Sequence, residues 1–133
     1  MNNALNLIGR LLIAALFLPA GLAKLAGFDG TVGYIESVGL PLPAVAATVA
    51  LAVEILGSVA LILGFQTRVT ASVLAVFTMV ASIFFHAFWA AAPEQAFVQQ
   101  LLFFKNIGVI GGLLVLVSSG AGAWSLDAKK EAQ

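Results

Sequence analysis

The chain has 133 residues, 62% of them hydrophobic and 9% charged, whereas soluble domains carry roughly one quarter charged residues; this is the composition of one membrane-embedded domain. Six basic and six acidic residues cancel, so the chain has no basic footprint for nucleic acid, and that class of function is excluded. With no cysteine and a single histidine, the chain encodes no disulfide, thiol redox cycle, iron–sulfur cluster, cysteine zinc site, bis-histidine haem or multi-histidine metal site of its own.

The first apolar run covers about 7–26 and is interrupted only by Arg10 and Lys24 near its ends. About 20 residues at 1.5 Å rise cross a hydrocarbon core, so the run is long enough to span. Arg10, Leu11–Leu18 and Pro19–Ala23 also imitate the three regions of a cleaved signal peptide. The apolar pattern continues downstream, however, and favours a retained span.

The connection to Pro43 contains Gly30, Gly33, Gly39, Pro41 and Pro43, the residues of an ordered turn-rich loop. Within it Thr31–Val38 has the length of a short surface helix, and Tyr34 suits the membrane interface. Pro43, tolerated in a first helical turn, starts a second span over about 43–65. Gly64–Arg68 reads as a tight polar turn, followed by a third span over about 69–89. Pro93, Glu94 and Gln95 fall in the next loop, a fourth span covers about 101–117, and 120–133 is a polar tail. The expected architecture is therefore an all-α, polytopic bundle of four transmembrane helices. Four spans put both termini on one side with Arg10, Arg68, Lys129 and Lys130, against Lys24 and Lys105 near the other, so the positive-inside rule places the termini and the tail in the cytoplasm.

Helical periodicity groups the polar residues into one stripe per span. The stripes are Arg10, Phe17, Gly21 and Lys24; Ala47, Ala50, Glu54, Gly57, Leu61 and Gly64; Arg68, Ser72, Ala75, Met79, Ser82, His86 and Trp89; and Leu101, Lys105, Gly108, Gly112, Val115 and Ser119. Small residues let membrane helices approach, so Gly57, Gly108 and Gly112 are expected against neighbouring helices. Glu54 lies eleven residues, roughly 16 Å, below Pro43 and so near mid-depth, where a carboxylate must be paired, protonated or in a wet cavity. His86 sits among Phe84, Phe85, Phe88 and Trp89 and needs a polar partner; Glu54, Lys24, Lys105, Asn106 and Arg10 are the candidates. Lys24 and Lys105 also fit interfacial anchors, and Phe88 and Trp89 an aromatic belt.

Gly9-Arg10-Leu11-Leu12, Ala20-Gly21-Leu22-Ala23-Lys24-Leu25, Gly39-Leu40-Pro41-Leu42-Pro43, Glu54 with Gly57, Gly64 with Thr67-Arg68, Phe104-Lys105-Asn106 before Gly111-Gly112, and Ser125-Leu126-Asp127 resemble the DoxX family of bacterial membrane proteins. The resemblance spans nearly the whole chain. It implies a four-helix inner-membrane protein usually described as an oxidoreductase, with relatives tied to quinone-linked sulfur oxidation or oxidative-stress complexes. It carries no reaction motif, so Arg10, Lys24, Glu54, Arg68, His86, Lys105 and Asn106 match only as polar positions.

Two expectations follow. In the first, a diffusible quinone or similar lipophilic ring binds between the helices, with Phe85 or Trp89 stacking on it and His86 or Lys105 donating to a carbonyl. Lys24 and Asn106 complete the ligand-binding set, Glu54 and His86 handle protons, and a redox partner protein carries the electrons. In the second, the chain is a membrane assembly or small-solute transport subunit whose polar interior pairs helices. The lipid bilayer is a partner in both, and a homo-oligomer stays open.

Overall fold

Asn2 opens the first helix by accepting hydrogen bonds on its side chain from the N–H groups of Ala4 and Leu5. A computed structural model describes residues 2–133 of the chain. Among these residues the protein is all-helical: α1 (Asn3–Ala26), α2 (Phe28–Ser37), α3 (Pro43–Leu63), α4 (Thr67–Phe85), a 3₁₀ turn (Phe88–Ala90), α5 (Pro93–Ser119) and α6 (Leu126–Glu131). Four of these elements are long and apolar enough to cross a membrane. Large apolar side chains such as Leu12, Leu56, Val76 and Val115 point outward, as a lipid-facing surface requires.

α1 packs along α3 and α4 along α5, while α3 and α4 meet less extensively. The two pairs join in the half of the bundle that carries both termini, where Phe17, Leu61, Leu74, Leu113 and Leu116 form the core. In the other half the pairs separate, and α2 lies across α3 with Ile35 buried beneath it. A cavity is left between them.

The expected helix boundaries change most at three places, and α2 also begins at Phe28, three residues before the expected Thr31. The Asn2 cap starts α1 at Asn3, before the run at 7. α4 ends at Phe85, so His86 terminates a helix and Trp89 lies on a separate turn. α5 begins at Pro93, in the segment expected as a loop, because proline fits the first turn and holds Ala92 extended at φ −59° and ψ 146°.

Two of the stripes are also displaced. The buried face of α4 is Thr67, Ala71, Leu74, Ala75, Thr78 and Ser82, not the line through Arg68, Ser72 and Met79. Ser72 donates to the Arg68 carbonyl of its own helix, so its hydroxyl is satisfied while facing outward. On α5 the buried residues are Asn106, Leu113 and Leu116. Gly108 has no neighbour that a Cβ would meet and Gly112 only Ile13 Cδ1 at 3.9 Å, so neither is a packing contact within the chain, whereas a Cβ on Gly57 would lie 3.1 Å from Leu74 Cδ2.

The end with the termini is held by arginines. Arg10 is fully buried and donates from Nη1 to the carbonyls of Leu61 (2.8 Å) and Ile62 (3.2 Å), from Nη2 to Trp124 O (2.6 Å) and from Nε to Asn6 Oδ1 (3.0 Å). It thereby adds donors to carbonyls of the last turn of α3, where Leu61 O also accepts from Gly64 N at 3.2 Å. Arg68 does the same for α5 at Val117 and Ser118. Gly64 closes α3 at φ 66°, and a side chain there would meet both Ser125 and the Arg10 guanidinium. The 120–133 segment is accordingly docked rather than a free tail: Asp127 accepts hydrogen bonds from the Gln66 and Thr67 N–H groups and donates its own N–H to Gly64 O.

Candidate functional site

Gly21 sets the site's geometry. A Cβ at that position would lie 2.7 Å from Ile55 Cγ1 and 3.0 Å from Glu54 Cβ, so the missing side chain is what lets α1 approach α3 this closely. One turn later on the same face, Lys24 reaches across and donates from Nζ to Glu54 Oε1 at 3.0 Å. Oε2 is 2.9 Å from the same nitrogen. Glu54 is only 5% exposed, and its Oε2 receives no hydrogen bond of good geometry. The mid-depth carboxylate is therefore an ion-paired one, with the lysine bent inward instead of snorkelling out.

On the facing pair, residues seven apart on α5 meet Ser82 on α4 and His86 just past its end. Asn106 donates from Nδ2 to Ser82 Oγ at 2.9 Å, and Ser82 passes its own proton to Thr78 O at 2.6 Å. His86 Nδ1 lies 2.9 Å from Gln99 Oε1. Gln99 is thus the histidine's partner, and none of the five expected candidates is. It sits on α5 only because that helix begins at Pro93.

Between the two pairs lies a cavity of about 590 Å³, within the usual range for small-ligand sites. Lys24, Glu54, Phe85, His86, Lys105 and Asn106 all line it, together with Thr31, Tyr34 and Thr78 and a mostly apolar wall that includes Phe17, Val49 and Phe77. α2 contributes Tyr34, whose ring is tilted against Phe85 at a centroid distance of 5.1 Å. Lys105 is exposed. Trp89 is 59% exposed and stacks edge-on with Phe88 and Phe103 outside the cavity, so it is not a lining residue. The early end of α4 carries it away.

The sequence reading missed Gln99 and the docking roles of Arg10 and Asp127. Ser125, which accepts from Ala128 N as the N-cap of α6, followed by Asp127 in the first turn was the available signal for the last of these.

A family model for DoxX matches residues 5–87, more than half of the chain. The chain belongs to the DoxX family. This DoxX protein is similar to the inner membrane protein YphA of Escherichia coli (strain K12), with 35% identity over 123 residues covering 92% of this chain and 88% of that one. It is likewise similar to inner membrane protein YqjF of the same strain, at 38% identity over 124 residues covering 91% and 88%. A shorter match, 33% identical over 72 residues and covering 53% of this chain, is to 24% of a Surfeit locus protein 4 homolog of Schizosaccharomyces pombe. No solved structure matches the chain. The DoxX protein is thus an integral, multi-pass inner-membrane protein.

Proposed function

We propose that this DoxX protein binds a quinone-like molecule in the cavity between its helix pairs and serves as the membrane part of an electron-transfer assembly. The observation that supports this reading is the convergence on one mostly apolar cavity of Lys24, Glu54, Phe85, His86, Lys105 and Asn106. A lipophilic ring is held by such walls, and its oxygens by a few polar groups. Phe85 and Tyr34 offer ring faces, Lys105 a cation for a carbonyl, and Glu54 a carboxylate oxygen for the proton that accompanies electron transfer. The electrons come from or go to a partner redox protein. Both termini lie in the cytoplasm in this reading, supported by Arg10, Arg68, Lys129 and Lys130 at their end of the bundle.

The test is purification in native lipid, solvent extraction for bound quinone, and titration of the reconstituted protein with a decyl-benzoquinone. Glu54→Gln should retain binding while proton-coupled turnover with the partner falls at least about tenfold. No bound quinone and no titration would overturn the reading. A second reading, a helix-pairing assembly or small-solute transport subunit, is favoured by the Lys24–Glu54 ion pair, which already gives Glu54 a structural task. It predicts unchanged turnover in Glu54→Gln.

A further inference from the structure

The seam between α3 and α4 is closed where Leu74 fills the space beside Gly57, its Cδ2 3.1 Å from where a Cβ there would stand. Two turns farther from the termini the same two faces carry Ala50 on α3 and Ala81 on α4. Both line the cavity, and alanines are too short to bridge helices that are separating. Toward the outside of the bundle their neighbours Val49 and Val80 line the cavity as well, yet they are 52% and 48% exposed. A residue that walls a cavity and also faces outward stands at its mouth. Tyr34 of α2 rests against Phe85 at the end of α4, and both line the cavity. They cover the opening from above, so it faces sideways into the bilayer.

The lining is sorted by chemistry around this mouth. Lys24, Lys105 and Asn106 stand on α1 and α5. Glu54 turns toward α1 to meet Lys24, and Val49, five residues away, points about 140° from it round α3. Ser82 turns toward α5 to meet Asn106, and Val80, two residues away, points about 160° from it round α4. On the α1–α5 side the exposed lining residues are Leu16 and the charged Lys105, an edge that suits a polar group. The mouth residues of α3 and α4, Val45, Val49, Phe77 and Val80, carry no polar atom on their side chains. We infer that the ligand is a lipid with one long apolar chain, whose ring sits at the polar end of the cavity and whose chain leaves between α3 and α4. This rests on the quinone-like reading for the ring and extends it to the tail and the route of entry. An opening walled by aliphatic and aromatic carbon leaves no side-chain polar group unsatisfied against hydrocarbon. The ligand therefore enters from the leaflet on the side away from the termini.

Titration of the nanodisc-embedded protein compares decyl-benzoquinone with the same ring carrying a methyl in place of the decyl chain. Val49→Trp and Val80→Trp, which fill the mouth, should weaken decyl-benzoquinone at least about fivefold and the methyl ring less than about twofold. Leu56→Trp, on the outward face of α3, should change neither. Unchanged decyl affinity in both mouth variants, or an equal loss for the two rings, overturns the exit of the chain there. The mouth itself is read without any quinone. In a Trp89→Phe, Trp124→Phe background, which removes both native tryptophans, single variants are placed in bilayers of phosphatidylcholine brominated along its acyl chains. Phe77→Trp, half-buried behind the mouth, should be quenched nearly as strongly as Leu56→Trp, and Phe17→Trp, buried on the α1 side, much less. Quenching of Phe77→Trp no stronger than that of Phe17→Trp overturns the lateral mouth whatever the cavity binds. Binding of neither ring to the wild type overturns the quinone-like reading and the placement of the chain with it, while the quenching still decides the mouth.

Discussion

Removing the Asp127 carboxylate should release the C-terminal segment. Its Oδ1 accepts from Gln66 N at 2.7 Å and its Oδ2 from Thr67 N at 2.8 Å, and α4 has no capping side chain of its own because Gln66 is left-handed there. Losing such a cap costs about 0.5–2 kcal/mol, and losing a negative charge at a helix N-terminus about 0.3–1 kcal/mol. The group is partly exposed, so about 1–2 kcal/mol is expected for Asp127→Ala, with Asp127→Asn between it and the wild type because one oxygen remains. That corresponds to roughly 5- to 30-fold more frequent opening. Trypsin cleavage at Lys129 and Lys130, under conditions where reclosing outpaces cutting, reads that population. Burial pushes the Asp127 carboxyl up, but hydrogen bonds from Thr67 and Gln66 and the charge of Lys130 outweigh it and hold the group below the ordinary carboxylate value. Since the folded form favours the carboxylate, its contribution is fully present above the unfolded value of about 3.9 and is lost as pH falls through the lower folded value. The thermal-melting difference between wild type and Asp127→Ala in detergent should therefore be flat from neutral pH to about pH 5 and shrink below about pH 4. Equal cleavage rates for the two proteins, or a gap that does not close in acid, would show that the segment is held without this cap.

Gly21→Ala puts a methyl against Ile55 and Glu54 and should lower detergent stability by about 1–3 kcal/mol, whereas Gly112→Leu, facing almost open space, should stay within about 0.5 kcal/mol; denaturant titration of both compares them, and the reverse order would move the α1–α3 contact elsewhere. Reporter fusions after Gln133 and within residues 30–37 should label opposite sides of the membrane, the first cytoplasmic, and finding both on one side would refute the four-span topology.

Much of this protein was legible in its residues. Four apolar runs specify four long helices because a helix alone satisfies its backbone inside lipid. Gly21 and Lys24 on one face of α1, and Ala47 and Glu54 on one face of α3, were legible because their small or polar side chains point inward in both the pattern and the fold. The stripes on α4 and α5 were read about one residue off. In a membrane both the packed and the lipid-facing sides are apolar, so hydropathy does not tell them apart, and a serine such as Ser72 that donates to its own helix imitates an inward face.

Composition and periodicity thus settle the class, the number of long helices and the polar residues that need partners, since these depend on each segment's own chemistry. Which partners they find depended on the fold. Lys24 meets Glu54 because Gly21 draws two helices together. His86 meets Gln99 because α4 stops without a glycine or proline to announce it and α5 starts at Pro93. Arg10 meets the end of α3 and a segment 114 residues away. These are distances between helices, and a helical repeat fixes angles only within one.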